Sequence, residues 1–163
     1  SVCMTNYILD GHDLSDLFDT RKPSFSFKDN PRHIIPNKGS ILYSVWDGDD
    51  QFIYIGISGL QKSLNRRNPI SRMQSHASGR RSGDQFCIYI HDIFVIPRLI
   101  KTGKYESERG WLDKVTQKYI HDNLRYRFVS FLSDDSDGIV RRLENKIKKG
   151  DMGFTPKING IDV

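Results

Sequence analysis

The stretch SILYSVWDGDDQFIYIGI, residues 40–57, decides the fold that the sequence predicts. Residues 40–46 and 51–57 are each rich in β-branched and aromatic side chains, which favour strands. The four residues DGDD between them include an Asp-Gly pair, which suits a turn that needs positive φ. The stretch therefore predicts a β-hairpin with Tyr43 on its first strand and Tyr54 on its second.

The segments after the hairpin carry helical and extended patterns in turn. Apolar residues at helical spacing predict three helices, near residues 70–78, 108–124 and 139–147. Residues 125–132 alternate between polar and apolar side chains and predict a half-buried strand. The apolar run 85–96 fits either a strand or a helix, and Pro97 ends it in both cases. The expected fold class is α+β, with a small central antiparallel β-sheet of three strands, hairpin first, flanked by helices.

The chain is long enough for one domain with its own core, at 163 residues of which 37% are hydrophobic. Residues 1–38 form a polar, proline-interrupted N-terminal arm or extension, with a short helical candidate near residues 13–18. We expect this arm either to pack on the core or to take part in recognition. Residues 39–163 form the main domain, with an insertion at about 79–105.

Basic residues exceed acidic ones, and the net charge is +5. The excess is local, because residues 57–104 hold nine Lys or Arg against two acids. Such a surface is suited to phosphate contacts, although an ordinary solvated face has the same composition. The candidate nucleic-acid contacts are Lys62, Arg66, Arg67, Arg80 and Arg81.

The two cysteines, Cys3 and Cys87, do not form a metal-binding spacing such as C-x-x-C. The sequence has no apolar run of the roughly 18 residues that a membrane span needs, and no signal peptide is visible. These features predict a cytoplasmic protein with no membrane partner.

Four side chains near the hairpin are candidates for chemistry. Tyr43 and Tyr54 lie on facing strands, where tyrosine pairs commonly serve packing. Arg72 and His76 are separated by four residues and so share one face of the predicted helix that follows. The sequence alone leaves packing and catalysis both open for the tyrosines.

Two later polar residues complete the candidate set. Glu144 adjoins the apolar stripe of the last predicted helix, where it is either a metal ligand or an ion-pair partner of Arg141, Arg142 or Lys148. Asn159 lies in the tail, where asparagine often makes a turn.

Taken together, these motifs resemble those of the GIY-YIG nuclease family. In chain order the matching features are Tyr43, Tyr54-Ile55-Gly56, Arg72-x-x-x-His76, Glu144 and Asn159. The resemblance covers roughly residues 39–160 and is closest to stand-alone bacterial or phage nucleases of restriction type. The first motif departs from the family because it reads Ile41-Leu42-Tyr43, and residues 86–105 have no counterpart in a minimal domain.

The resemblance implies a metal-dependent endonuclease that hydrolyses DNA phosphodiester bonds with one metal ion, leaving 5′-phosphate and 3′-OH ends. Glu144 would bind Mg²⁺ or Mn²⁺, hard cations that prefer oxygen ligands and retain several waters. Arg72 would make a bidentate contact with the scissile phosphate. Tyr43 would orient or deprotonate the attacking water.

A phenol with an ordinary pKa near 10 needs nearby positive charge to act as a base at neutral pH. The resemblance implies that His76, Arg72 or the metal ion supplies this charge. Tyr54 would hydrogen-bond in the same network, and Asn159 would fix the local geometry. Whether Tyr43 or His76 is the general base stays open.

Restriction enzymes, mobile-element nucleases and nuclease toxins would share such a core, so the resemblance does not fix the biological role. DNA is the expected partner, and a homodimer would supply two active sites for palindromic duplex DNA. The alternatives are a catalytically silent nucleic-acid-binding module and a nuclease toxin. Candidate recognition elements are residues 1–38, 61–68 and 79–105.

Overall fold

A computed structural model describes residues 6–60 and 68–160 of the chain. The strands are β1 (Ile8–Leu9), β2 (His12–Asp13), β3 (Phe25–Ser26), β4 (Ser40–Trp46), β5 (Phe52–Ser58) and β6 (Arg125–Phe131). The α-helices are α1 (Ser15–Phe18), α2 (Pro69–Ala77), α3 (Gln85–Ile90), α4 (Ile96–Thr102), α5 (Trp111–Asn123) and α6 (Ser136–Lys148). The predicted α+β class is confirmed. No helix in these residues is long and apolar enough to cross a bilayer.

The main sheet is antiparallel and has four strands in the order β3-β6-β4-β5. The prediction of a single three-stranded sheet is therefore wrong. The fourth strand, β3, comes from the N-terminal arm, and β1 and β2 form a separate two-stranded sheet ahead of the main hairpin. Each of these additional strands has two residues, which is too short for an alternating pattern to reveal in the sequence.

The predicted hairpin of β4 and β5 is confirmed, and its register determines which side chains meet. Tyr43 lies opposite Gly56, and Val45 lies opposite Tyr54, with a bulge next to Trp46. The Asp47 carboxylate accepts hydrogen bonds from the backbone amides of the turn, and Asp50 takes a positive φ of 56°. The turn therefore closes by local side-chain hydrogen bonds, and its positive φ falls on Asp50 and not on Gly48 of the predicted Asp-Gly pair.

Each face of the sheet carries its own core. One face, with Tyr43 and Val45, packs against α2, α3 and α5, and the other, with Leu42 and Trp46, packs against α1 and α6. Leu17 of α1 is fully buried in the second core, so the N-terminal arm contributes to the interior of the fold. The two helical layers bring residues from distant parts of the sequence to the same strands.

The apolar run 85–96 is helical, and the helix does not end at Pro97. A π-helical turn, His91–Val95, follows α3 and continues into α4 as far as Thr102. In the π turn the Ile96 amide bonds to the His91 carbonyl, five residues back. Pro97 therefore lies in the first turn of α4. Proline is tolerated there because the backbone N–H groups of a first turn have no partner within the helix.

Candidate functional site

A hydrogen bond between Tyr43 and His76 lies at the centre of the candidate site. The hydroxyl of Tyr43 on β4 is 2.7 Å from Nε2 of His76 on α2, and each side chain is only 1% exposed. Asn68 caps the start of α2 by accepting the amides of Ile70 and Ser71, which fixes the helix over the hairpin. The two residues are 33 positions apart, so the docking of α2 on the sheet creates this contact.

Asp84 extends the hydrogen-bonded chain beyond His76. Its Oδ2 is 2.8 Å from Nδ1 of His76, and its Oδ1 accepts the amide of Phe86 at the start of α3. The thiol of Cys87 contacts Oδ2 at 3.3 Å. Asp84 is missing from the residues predicted from the sequence. An Asp ahead of an apolar run is a helix N-cap signal. A helical interpretation of residues 85–96 would have identified Asp84 as this cap.

Tyr54 and Gly56 shape the surroundings of Tyr43. A Cβ at Gly56 would lie 2.3 Å from the hydroxyl end of the Tyr43 ring, so glycine is required for the tyrosine to cross β5. The Tyr54 ring packs beside Tyr43 with centroids 6.2 Å apart and meets His76 edge-on at 5.9 Å. In the sequence Tyr54-Ile55-Gly56, Tyr54 thus packs beside the Tyr43 ring and Gly56 leaves the space that this ring occupies.

Glu144 lies on α6, which packs on the opposite face of the sheet from Tyr43. Its neighbours Leu143 and Ile147 are fully buried, and Glu144 itself is mostly buried, with Lys148 at 3.5 Å one helical turn away. Of the three ion-pair partners considered from the sequence, Lys148 is therefore the one in direct contact. Arg142 pairs instead with Asp10, at 3.2 Å.

The electrostatic environment links Glu144 and half-buried Arg72 to both tyrosines. Burial raises the pKa of Glu144, against the lowering effect of Lys148, Arg141 and Arg72. Burial and the negative charge of Glu144 raise the pKa of Tyr54 to about 12, while Arg72 acts in the opposite direction. Arg72 and Glu144 are therefore close enough to influence the pKa of both tyrosines.

The pKa shifts change the expected role of His76. Burial raises the pKa of Tyr43 well above its ordinary value, and burial lowers the pKa of His76. The lowered pKa favours the neutral form of His76 at neutral pH. Of the three sources of positive charge named from the sequence, this leaves Arg72 and the metal ion. A neutral imidazole is instead positioned to accept the proton of Tyr43, because the phenol does not ionise on its own.

Asn159 holds β5 in place next to Tyr54 and Gly56. Its amide side chain is 7% exposed and makes two hydrogen bonds to the backbone of Ile55, at 3.1 Å to the amide and 2.6 Å to the carbonyl. The amides of Lys157 and Ile158 bond to the carbonyls of Phe52 and Ile53. The tail thus runs along the outer edge of β5, beside Tyr54.

The predicted basic contacts have different environments. Arg81 is held by Asp113 at 2.7 Å, which makes it part of a local ion pair. Arg80 is exposed and lines a polar groove of about 550 Å³ along α2, together with Gln74, Asp84 and four serines. The other predicted contacts, Lys62, Arg66 and Arg67, lie outside the described residues.

The donor set around Glu144 is compatible with one hard divalent cation. Within residues 6–60 and 68–160, no group of three or more His, Cys, Asp or Glu side chains forms a metal cage. Mg²⁺ does not require such a cage, because it keeps several waters and takes one or two carboxylates together with substrate phosphates. A cation beside Glu144 would also relieve the energetic cost of holding this carboxylate in a partly dehydrated position.

Comparison with models of known protein families, with curated proteins and with solved structures found no match.

Proposed function

We propose that this protein is a DNA endonuclease of GIY-YIG type that hydrolyses phosphodiester bonds. The observation that carries the proposal is the buried 2.7 Å hydrogen bond between Tyr43 and neutral His76, where Arg72 and Glu144 also influence the pKa of Tyr43. One-metal phosphodiester hydrolysis can use a general base, a cation for the phosphate and a carboxylate for the metal ion, and the GIY-YIG resemblance adds the tyrosine.

Tyr43 and His76 form the route for the proton of the attacking water. The water gives one proton to the Tyr43 oxygen while Tyr43 passes its own proton to Nε2 of His76. This transfer avoids a free phenolate, which the high pKa of Tyr43 disfavours. The water oxygen bonds to phosphorus, and the 3′-oxygen leaves with its electron pair and takes a proton from solvent. His76 returns its proton to Tyr43 as the chain releases one proton to solvent, which leaves 5′-phosphate and 3′-OH ends.

Arg72 and Glu144 serve the phosphate. Arg72 provides a guanidinium that can contact two phosphoryl oxygens at once, and its side chain is half-buried beside the tyrosines. Glu144 would hold Mg²⁺. Burial disfavours its charged form, and a bound cation would stabilise that form. When bound, Mg²⁺ supplies charge stabilisation for the phosphoryl oxygens.

The test is incubation of the purified chain with supercoiled plasmid, linear duplex and single-stranded DNA, in Mg²⁺ and in EDTA. We expect cleavage in Mg²⁺ alone, with 5′-phosphate and 3′-OH ends. Glu144→Gln keeps the size of the side chain and removes its charge, and Arg72→Ala removes the phosphate contact. We expect each to slow cleavage by at least about 10²-fold while DNA affinity is retained.

Matched controls are available on the surface of the same chain. Glu108→Gln changes an exposed carboxylate that contacts Lys114, and Arg142→Ala changes an arginine that contacts Asp10. Both controls should cleave at the wild-type rate. Wild-type cleavage by Glu144→Gln or Arg72→Ala would contradict the proposal. Salt-sensitive DNA binding without cleavage in Mg²⁺ or Mn²⁺ would favour a binding module instead.

A further inference from the structure

We infer that Asp84 is a positioning residue that holds His76 in the tautomer with its proton on Nδ1, so that Nε2 accepts the proton of Tyr43. Its catalytic consequence rests on the proposed nuclease function, whereas the tautomer itself does not. Three buried side chains, Tyr43, His76 and Asp84, then form one directional hydrogen-bonded chain with distances of 2.7 and 2.8 Å.

The direction of the chain follows from what each atom can donate. An ionised carboxylate only accepts hydrogen bonds, so Oδ2 of Asp84 requires a proton on Nδ1 of His76. A neutral imidazole carries one proton, and Nε2 is then left as an acceptor for the Tyr43 hydroxyl. In the opposite tautomer, the bare Nδ1 would face the carboxylate at 2.8 Å with no proton between them, and both side chains are buried.

The environment of Asp84 keeps it ionised and in place. Burial alone would raise its pKa, but hydrogen bonds from His76, Cys87 and the Phe86 amide lower the pKa below its ordinary value. The 4% exposed carboxylate therefore accepts three donors, and its backbone is fixed as the N-cap of α3. A carboxylate held this rigidly specifies both the tautomer and the orientation of its histidine partner.

Aromatic neighbours hold the His76 ring in this orientation. The Phe86 ring lies 4.3 Å from the His76 ring at an angle of 33°, and Tyr54 meets it edge-on. The titratable or charged groups around the ring are Tyr43 from β4, Tyr54 from β5, Arg72 on its own helix, Asp84 before α3 and Cys87 on α3. Of these described groups, Asp84 alone bonds to Nδ1.

A second pair in the same chain provides a matched control. His91 Nδ1 lies 2.7 Å from Asp92, so the two pairs share bond geometry. Asp92 is 61% exposed, whereas Asp84 is 4% exposed, and His91 does not contact Tyr43. Asp92→Asn therefore repeats the chemical change of Asp84→Asn at a histidine outside the proposed site.

The first part of the test measures the His76 tautomer by ¹⁵N NMR on protein labelled at histidine. His76→Gln identifies the signal among the five histidines of the chain. We expect a protonated Nδ1 and a bare Nε2 in the wild type at neutral pH. In Asp84→Asn, the oxygen can still cap α3 through the Phe86 amide, which turns the NH₂ group toward Nδ1 and shifts the proton to Nε2. A bare Nδ1 in the wild type would overturn the inference, whatever the cleavage assay gives.

The second part measures single-turnover cleavage and DNA affinity. Asp84→Asn should reduce the cleavage rate by about 10²-fold with unchanged affinity, and Asp92→Asn should leave both unchanged. Asp84→Glu should restore part of the rate, because a carboxylate is again available to Nδ1. A wild-type rate in Asp84→Asn would overturn the inference.

If the wild type has the expected tautomer but cleaves no DNA, the proposed function fails while the assignment of Asp84 to His76 stands. If Asp84→Asn does not fold, the tautomer in the wild-type spectrum and the cleavage rate of Asp84→Glu still test the inference.

Discussion

Within residues 6–60 and 68–160, two histidine–aspartate pairs have nearly equal bond lengths but differ in the exposure of the aspartate and in the partner of the second ring nitrogen. His76–Asp84 is buried, and its second ring nitrogen meets the Tyr43 hydroxyl at 2.7 Å. His91–Asp92 is open on its aspartate side, and its second nitrogen faces the Arg81 guanidinium at 3.5 Å. A histidine can move a proton only if its second nitrogen faces a group that can give one up, and arginine does not. The partner of the second nitrogen, more than the carboxylate, therefore distinguishes a candidate catalytic pair from a structural one.

The largest expected effect comes from removing each histidine in turn. His76→Gln should lower single-turnover DNA cleavage by about 10²-fold or more, because Tyr43 then has no neutral base to take its proton. His91→Gln should cleave at the wild-type rate. The measurement is quenched-flow cleavage of a labelled duplex, with circular dichroism to show that both variants fold. Equal losses in the two variants would remove the distinction between the pairs.

The pH dependence of stability gives an intermediate effect. Because burial lowers the pKa of His76 below its value near 6.5 in the unfolded chain, the unfolded state binds more protons as the pH falls. The contribution of neutral His76 is thus fully present above pH 6.5 and is lost as the pH falls toward the lowered pKa. One such proton can contribute a slope of up to about 1.4 kcal/mol per pH unit to the free energy of unfolding.

Urea unfolding measured at intervals between pH 7 and pH 5 tests this sign. His76→Gln should flatten the slope in that window. A slope that survives His76→Gln would assign the pH dependence to other groups.

The smallest expected effect concerns the two arginines next to these pairs. Arg80 is exposed on the polar groove along α2, while Arg81 is held by Asp113 and lies beside His91. Arg80→Ala should weaken DNA binding and reduce the slope of log Kd against log salt by about 0.9, the value for one phosphate contact. Arg81→Ala should change this slope less and lower the thermal midpoint more. Fluorescence anisotropy over a salt series separates the two, and a larger slope change for Arg81→Ala would reverse their assignment.

The hairpin is predictable from the sequence because its signals are local. Strand propensity and the Asp-Gly pair lie within 18 consecutive residues, but they do not predict the bulge between Val45 and Trp46 at which the register shifts. The proposed roles of the site residues stay predictions, although their placement around one pair of tyrosines is compatible with them.

The rest of the site depends on docking that no local signal encodes. The contact between Tyr43 and His76 requires α2 to pack on the sheet, and Glu144 arrives from a helix on the other face. Asp84 has a local signal as a helix N-cap, but its contact with His76, eight residues earlier, is a tertiary contact that this signal does not predict. The two-residue strands are similarly hidden, since their pairing comes from tertiary contacts with β6 and not from their own composition.

The tail that holds β5 also bears on how copies of this chain can associate. An uncovered edge strand offers unpaired backbone groups to any other strand, which favours sheet extension and aggregation. Here Lys157, Ile158 and Asn159 occupy those groups from Phe52 to Ile55, with Asn159 using a side-chain amide in place of a peptide group. The four-stranded sheet therefore cannot continue into a second molecule along this length while the tail is docked, and a homodimer would have to use a different surface.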